Sequence, residues 1–242
     1  MLAIETEQLR KEYPDTVAVE GLNLEVRQGE LFALLGVNGA GKTTTIKMLS
    51  GLTSPTSGDA RLEGHSVLTQ LREVKEIIGV SPQETAVAQN LTVKENLELM
   101  CGVHGIPKDK GREKVAELSG QLGLDPVMKR RAGKLSGGWQ RRLSIAMALV
   151  STPKVLFLDE PTLGLDVLAR SELWDCIRAM KGRITVVLTT HYMEEAEALA
   201  DRIGIMKDGR LLVVGTAQDL KEQTETERLE DAFVTIVKGA AR

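Results

Sequence analysis

The fold of this chain is decided by Leu31-Phe32-Ala33-Leu34-Leu35-Gly36-Val37-Asn38-Gly39-Ala40-Gly41-Lys42-Thr43-Thr44. Residues 31–35 are all apolar, which predicts a central strand that is buried on both faces. The rest of the stretch fits the pattern Gly-x4-Gly-Lys-Ser/Thr without a mismatch, and residues 43–51 have the composition of a helix. Strand, glycine-rich loop and helix in this order predict a phosphate-binding loop, and therefore a nucleoside triphosphate as ligand.

Within this loop, each residue type suits one part of a magnesium–triphosphate ligand. Backbone N–H groups at the start of a helix attract anions, and glycines keep side chains away from the phosphates. Lys42 is expected to neutralise the charge of the β- and γ-phosphates, and the Thr43 hydroxyl is expected to reach magnesium. The predicted nucleotide-binding residues of the loop are Gly36, Asn38, Gly39, Ala40, Gly41, Lys42, Thr43 and Thr44.

A second apolar run ends in two acids, Val155-Leu156-Phe157-Leu158-Asp159-Glu160. A strand here would bring both carboxylates to the carboxyl edge of a parallel sheet, where such folds bind ligands. We expect Asp159 to hold magnesium through water and Glu160 to polarise the attacking water as general base. The simpler interpretation, two solvated acids that cap a strand, is disfavoured beside a phosphate loop.

Composition limits the class of protein. The 242 residues are enough for one large domain or one domain with a subdomain, with 42% apolar and 27% charged residues. A net charge of −3 predicts no nucleic-acid partner. The N-terminus lacks a secretory signal pattern, and no apolar run approaches the roughly 18 residues of a membrane span. Cys101 and Cys176 are far apart in sequence, which favours reduced thiols.

The pattern along the chain predicts a single domain over residues 1–242 with an insertion. Residues 1–30 alternate apolar and polar positions, which favours antiparallel strands. Residues 84–150 are predicted to form an α-helical subdomain, with Thr92 as a helix N-cap. The core would consist of residues 1–83 and 151–220. Turns and short strands are expected over 52–83. Alternating strands and helices, followed by a hairpin, are expected over 151–220. Residues 221–242 would form a short tail.

Between the two nucleotide motifs lies Leu135-Ser136-Gly137-Gly138-Trp139-Gln140. Leu-Ser-Gly-Gly-x-Gln in this position resembles the signature of the ATP-binding-cassette (ABC) ATPases, and the resemblance extends from Tyr13 to Gly215. It implies an α/β fold of the phosphate-loop NTPase class. In that fold, a mixed core sheet is flanked by helices, with an N-terminal antiparallel β subdomain and an inserted α-helical subdomain.

The resemblance also implies roles for further residues. Gln83, in Val80-Ser81-Pro82-Gln83, resembles the Q-loop glutamine, a magnesium ligand that senses the transmembrane partner. Asp166 belongs to a stretch that resembles the D-loop, which crosses a dimer interface. His191 resembles the switch histidine that contacts the γ-phosphate, and Tyr13 matches the aromatic residue that stacks on adenine.

The signature residues imply a dimer. Ser136, Gly137 and Gly138 open a predicted helix, so their N–H groups and hydroxyl suit a γ-phosphate. In the family this phosphate belongs to ATP held by the other subunit, which implies a head-to-tail homodimer around two ATP molecules. Trp139 departs from the smaller or more flexible residues common at its position, but it leaves the three phosphate-gripping residues intact.

Two short sequence segments favour one branch of the family. Residues 91–97 and 190–196 resemble the nucleotide-binding subunits of bacterial multidrug and other ABC-2-type exporters. This resemblance implies an ATPase that uses ATP and Mg2+ to power a separate integral membrane permease from the cytoplasmic face of the membrane. The same segments are also compatible with a generic cassette, so export over import stays open.

Two other functions are compatible with the same motifs. One is a soluble, non-transport ABC ATPase for DNA repair, chromosome organisation or iron–sulfur assembly, which the net charge and the sparse cysteines disfavour. The other is a nucleotide-binding regulator without turnover, which the presence of Glu160 and His191 disfavours. The sequence names neither the cargo nor the number of permease chains.

Overall fold

The computed structural model describes residues 1–240, which form two β-sheets and the helices around them. The strands are β1 (Leu2–Tyr13), β2 (Thr16–Leu22), β3 (Glu25–Arg27), β4 (Leu31–Leu35), β5 (Ser57–Leu62), β6 (His65–Ser66), β7 (Ile78–Ser81), β8 (Val155–Asp159), β9 (Thr185–Thr190), β10 (Arg202–Lys207) and β11 (Arg210–Gly215). The α-helices are α1 (Lys42–Leu49), α2 (Leu71–Ile77), α3 (Val93–Val103), α4 (Lys108–Gln121), α5 (Gly137–Leu149), α6 (Val167–Arg178), α7 (Met193–Leu199), α8 (Ala217–Gln223) and α9 (Leu229–Gly239).

The larger sheet has six strands in the order β11-β10-β4-β9-β8-β7. The strands from β10 to β7 run parallel, and β11 pairs antiparallel with β10. The apolar run β4 therefore lies between two parallel neighbours, as predicted. This parallel arrangement brings the residues that follow β4, β8 and β9 to the same edge of the sheet.

Both faces of this sheet are covered, which explains why β4 is apolar throughout. Leu31, Ala33 and Leu35 pack into a core with the helices that follow the signature, whereas Phe32 and Leu34 pack into a second core beneath the smaller sheet. Alternate residues of a strand point to opposite faces. Fully burying a side chain such as Phe32 or Leu34 stabilises the fold by about 1.5–3 kcal/mol.

The smaller sheet is antiparallel and contains β2-β1-β5-β6, with β3 paired to β1. It contributes residues such as Ile4 and Leu62 to the second core, together with Ile46 from α1. The predicted fold class, a mixed core sheet with an N-terminal antiparallel sheet and added helices, is confirmed.

The predicted helical segment, residues 84–150, contains α3, α4 and α5. A capping box begins α3, because the Thr92 side chain accepts from the Glu95 N–H and the Glu95 carboxylate accepts from the Thr92 N–H. The predicted N-cap at Thr92 is therefore confirmed. Helix α4 begins at Lys108, and α5 begins at Gly137 with Ser136 as its N-cap. The proposed subdomain boundaries at residues 84 and 150 stay a prediction.

One element contradicts the sequence prediction. Residues 52–83 were expected to contain turns and short strands, but α2 lies within them. This helix has seven residues and Val74 is its buried one, so it offers too little apolar periodicity to be recognised. The predicted tail 221–242 contains the end of α8 and α9, and its last two residues lie outside the described part. Among the helices of residues 1–240, none combines the length and apolarity that crossing a membrane requires.

Candidate active site

A cavity of about 800 Å³ opens at the carboxyl edge of the larger sheet. A volume of this size is typical of small-molecule sites. The elements that form it are the glycine loop after β4, the acidic end of β8, the residue after β9, and the β1–β2 hairpin. Its lining includes the predicted residues Tyr13, Asn38, Gly39, Ala40, Gly41, Lys42, Thr43, Thr44, Gln83, Glu160 and His191.

The glycine loop is packed too closely for side chains at two positions. Gly41 has φ +100°, and a Cβ placed there would lie 2.4 Å from the Ala18 carbonyl oxygen. A Cβ on Gly36 would lie 2.4 Å from the carbonyl oxygen of Met206. The loop therefore fits tightly against β2 and β10, and α1 begins directly after Gly41. The first N–H groups of a helix lack partners within it, so this end suits an anion. The Ala40 N–H already donates to the Val37 carbonyl.

Lys42 lies buried at the floor of the pocket. Its ammonium donates to the carbonyl oxygens of Gly36, at 2.7 Å, and Val37, at 3.1 Å. The nearest carboxylate oxygen is Glu160 Oε1, 3.6 Å from Nζ. Burial lowers the pKa of Lys42, while the charges of Glu160 and Asp159 act in the opposite direction. The two carbonyl groups are neutral, so the Lys42 ammonium has no anionic partner within hydrogen-bond distance in the loop, residues 36–44. A phosphate group bound at this end of the loop would supply one.

The carboxylate of Asp159 is held by two hydroxyl groups. Thr189 Oγ1 donates to Asp159 Oδ1 at 2.5 Å, and Thr43 Oγ1 lies 3.1 Å from the same oxygen. The register of β8 and β9 explains the first contact, because Asp159 and Thr189 are direct neighbours across that strand pair. Thr43 and Asp159 thus bring two oxygen ligands together beside the phosphate loop.

These oxygens fit a magnesium ion. Magnesium binds through one or two protein ligands and completes its shell with water and substrate phosphates. Within residues 1–240, no group of three His, Cys, Asp or Glu side chains is arranged to hold a metal. The Thr43 and Asp159 pair, with Gln83 on the pocket wall, matches the sparse donor set that magnesium uses with a triphosphate.

Glu160 has an unusual backbone conformation. Its φ of +46° lies in the left-handed region, which a non-glycine residue occupies at a cost of about 1–3 kcal/mol. The Glu160 N–H donates to Thr189 Oγ1 at 3.0 Å. On the side chain, Oε2 lies 3.0 Å from His191 Nδ1, although the two atoms are not aligned for a hydrogen bond. The conformation therefore directs a buried carboxylate between Lys42 and His191.

Six predicted residues are absent from the cavity lining. Two of them adjoin residues that line it, because the Gly36 carbonyl accepts from the Lys42 ammonium and the Asp159 carboxylate lies 3.1 Å from the Thr43 hydroxyl. The other four lie elsewhere on the chain. Ser136, Gly137 and Gly138 form the N-terminal end of α5, where Ser136 and Gly137 are exposed. Asp166 is the N-cap of α6, and its carboxylate accepts from the Ala169 N–H at 2.9 Å. The pocket of one chain therefore contains the phosphate loop, the acids and the histidine, without the signature.

Sequence reasoning missed several residues of the site. Thr16, Val17 and Ala18 of β2 line the cavity beside Tyr13, and their place in an alternating strand next to that aromatic residue was an available signal. Nothing in the local sequence indicated Thr189, because its contact with Asp159 depends on the pairing of β8 with β9. Leu163 and the exposed Asp208, from the β10–β11 turn, also line the cavity.

Comparison with known proteins identifies the family. Residues 19–163 match the family described as ABC transporter. The daunorubicin/doxorubicin resistance ATP-binding protein DrrA of Streptomyces peucetius is 44% identical over 235 residues, covering 95% of this chain and 71% of that protein. The probable multidrug ABC transporter ATP-binding protein YbhF of Escherichia coli (strain K12) is 39% identical over 241 residues, covering 97% of this chain and 41% of that protein.

A solved structure of an ATP binding subunit of an ABC transporter has the same fold. It superposes with a TM-score of 0.85 at 27% identity, covering 97% of this chain and 99% of the other. Its fold, the family match and the identities of the relatives agree with the phosphate loop, acidic strand and signature described above. The chain belongs to the ABC transporter family and is an ATP-binding subunit with ATPase activity.

Proposed function

We propose that this chain is the ATP-hydrolysing motor of an exporter, working as a homodimer on a separate membrane permease. As an ABC ATPase, the chain binds ATP and couples its hydrolysis to transport. The observation that supports the site assignment is the convergence of Lys42, Asp159, Glu160 and His191 at one edge of the sheet. The roles given to these residues are our proposal.

In this proposal Lys42 binds the phosphates. Its ammonium already lies among the carbonyl groups of Gly36 and Val37, so the triphosphate adds a charged partner to a donor that is positioned in advance. The N–H groups at the start of α1 bind the same phosphates through the positive end of the helix dipole. Tyr13 stacks on the adenine at the other end of the pocket.

Glu160 is proposed to act as general base. Its carboxylate accepts a proton from the water that attacks the γ-phosphorus, while the bond from that phosphorus to the bridging oxygen breaks and ADP leaves. His191, 3.0 Å from Glu160 through Nδ1, is proposed to orient the γ-phosphate with its ring. Thr43, Asp159 and Gln83 would hold magnesium, which neutralises phosphate charge when bound.

A second copy of the chain is proposed to complete the site. The Ser136–Gly137 end of α5 is exposed, so it is free to contact ATP bound to another molecule. Beside it, Val167 and Leu168 at the start of α6 are 77% and 76% exposed. Apolar patches rimmed by polar residues mark protein contact sites, and a second copy placed against the signature would cover these two side chains. Head-to-tail pairing would bring each signature to the other chain's phosphates.

The relatives favour export and a membrane partner. DrrA is named as a drug resistance protein and YbhF as a probable multidrug transporter protein, each as the ATP-binding component. We infer that this chain likewise associates with the cytoplasmic face of a membrane through a permease that selects the cargo. The ATPase itself would supply the energy for transport, because its pocket offers groups that suit the phosphates and the adenine of ATP and, among residues 1–240, none that would select a cargo.

Replacing Lys42 with alanine should weaken ATP binding. Loss of a buried, charge-assisted phosphate contact corresponds to about a ten- to hundredfold rise in the Kd for ATP. Lys47→Ala, an exposed lysine of the same helix, serves as the matched control and should leave the Kd unchanged. Equilibrium binding of a fluorescent ATP analogue measures both variants. Equal affinity of Lys42→Ala and the wild type would contradict the phosphate-binding role.

Replacing Glu160 with glutamine should separate binding from turnover. The amide keeps the size of the side chain but does not accept a proton, so phosphate release should fall by about a hundredfold or more while the Kd for ATP stays within twofold. Glu113→Gln, at an exposed position of α4, controls for the loss of one carboxylate. Normal hydrolysis by Glu160→Gln would remove Glu160 from the role of general base.

The membrane partner is tested by affinity purification of tagged Glu160→Gln from membranes of its native cells. In the presence of ATP and magnesium, a polytopic permease should co-purify with the Glu160→Gln chain. The permease should no longer co-purify when the same chain also carries Lys42→Ala. The permease reconstituted in vesicles with the wild-type chain should then move substrate outward in an ATP-dependent manner. Recovery of soluble proteins or nucleic acid in place of a permease would contradict the transport assignment.

A further inference from the structure

The residue that connects the signature helix to the pocket wall is Arg141. It lies on α5, is 5% exposed, and its two terminal nitrogens donate to successive backbone carbonyls. Nη1 lies 2.6 Å from the Pro82 oxygen, and Nη2 lies 2.6 Å from the Gln83 oxygen. Both acceptors belong to the loop that follows β7. The guanidinium therefore binds the backbone of the residue whose side chain lines the nucleotide pocket.

A second contact joins the same two elements. Ser144, one turn further along α5, shares a hydrogen bond of 2.9 Å with Ser81, the last residue of β7. This serine pair attaches the end of the strand to α5, whereas Arg141 reaches the loop beyond the strand. The Ser144 contact holds the end of β7, and the Arg141 contacts hold the loop that carries Gln83. A variant at Ser144 is therefore a matched control for a variant at Arg141.

The chemistry of Arg141 suits positioning. Its planar fork offers donors in a fixed geometry that can hold two acceptors at once, which the single ammonium of lysine does not reproduce. Burial lowers the pKa of Arg141, while the nearby charges of Asp159 and Glu195 act in the opposite direction. A charged group kept in this environment holds its acceptors through strong hydrogen bonds, because few water molecules compete for the donors.

We propose that Arg141 is a positioning residue that holds the Pro82–Gln83 backbone and thereby keeps the Gln83 side chain in the nucleotide pocket. Since α5 begins at Gly137, about one turn before Arg141, the same contact couples Gln83 to the signature. A shift of α5 on closing against a second copy is transmitted to Gln83 through this guanidinium. The inference rests on the proposed role of Gln83 toward magnesium and ATP.

The test compares ATP binding with and without magnesium in the Glu160→Gln background, so that hydrolysis does not intervene. Arg141→Lys keeps the charge and removes the fork. In EDTA its Kd for ATP should match that of the parent within twofold, because the phosphate loop is intact. The tightening produced by magnesium should be about tenfold smaller than in the parent, as expected for the loss of a charge-assisted contact. Ser144→Ala should retain the full magnesium effect.

Two results would overturn the inference. One is an Arg141→Lys variant with the parent's full magnesium effect. The other is an equal loss of affinity in EDTA, which would indicate a general structural role. If magnesium fails to tighten ATP binding in the parent itself, the proposed metal site fails instead, so the two failures are distinguishable.

The wild-type protein supplies a measurement that requires no variant. Binding of both terminal nitrogens stops the guanidinium from rotating, so nitrogen-15 NMR of arginine side chains should resolve two separate Nη signals for Arg141. Those signals should shift when ATP and magnesium are added, because the held loop carries Gln83. A single, rotationally averaged Nη signal would show that Arg141 does not hold the Pro82 and Gln83 carbonyls. This result would contradict the inference even if the substituted chains failed to fold.

Discussion

The hydroxyl group of Thr189 holds both acidic residues of the site. It donates to the Asp159 carboxylate and accepts from the Glu160 N–H, so one side chain on β9 fixes the two residues at the end of β8. The parallel pairing of β8 with β9 is what brings these groups together. This contact also accompanies the left-handed backbone of Glu160, which turns its carboxylate toward Lys42 and His191. The position of the acidic residues in the pocket therefore depends on this strand pair.

Lys42 and Asp159 show how the site is kept ready for a charged ligand. The ammonium is buried against carbonyl groups and near two carboxylates, and Asp159 is held by two hydroxyls. Preorganised charges of this kind do not need to reorganise when ATP enters, which is how such sites stabilise developing charge. The signature lies on another surface of the same chain. Under the proposed head-to-tail pairing, each subunit would contribute half of each of two sites, an arrangement suited to cooperative closure around two nucleotides.

The sequence predicted the parts of this site that depend on local order. The strand, glycine loop and helix around Lys42 and the apolar strand ending in Asp159 and Glu160 follow from residue types within a short window, whereas His191 was expected only from the family resemblance. The β10–β11 hairpin was likewise predicted from local residue types.

The features that the sequence did not predict depend on tertiary contacts or weak local signals. Helix α2 carries little periodicity, and its position is set by packing around Val74. The bonds of Thr189 and Arg141 join residues that lie far apart along the chain, so no local pattern indicates them. Asp166 was predicted only through resemblance, yet its place before an apolar run is also the ordinary signal of a helix N-cap.

An experimental structure of the Glu160→Gln chain with ATP and magnesium tests the proposed shared site directly. We expect a twofold-symmetric dimer with two ATP molecules, each between Lys42 of one chain and Ser136 of the other. We also expect magnesium beside Thr43 and Asp159. A monomer with ATP held by one chain alone, or a dimer whose signature surfaces face solvent, would contradict the shared site.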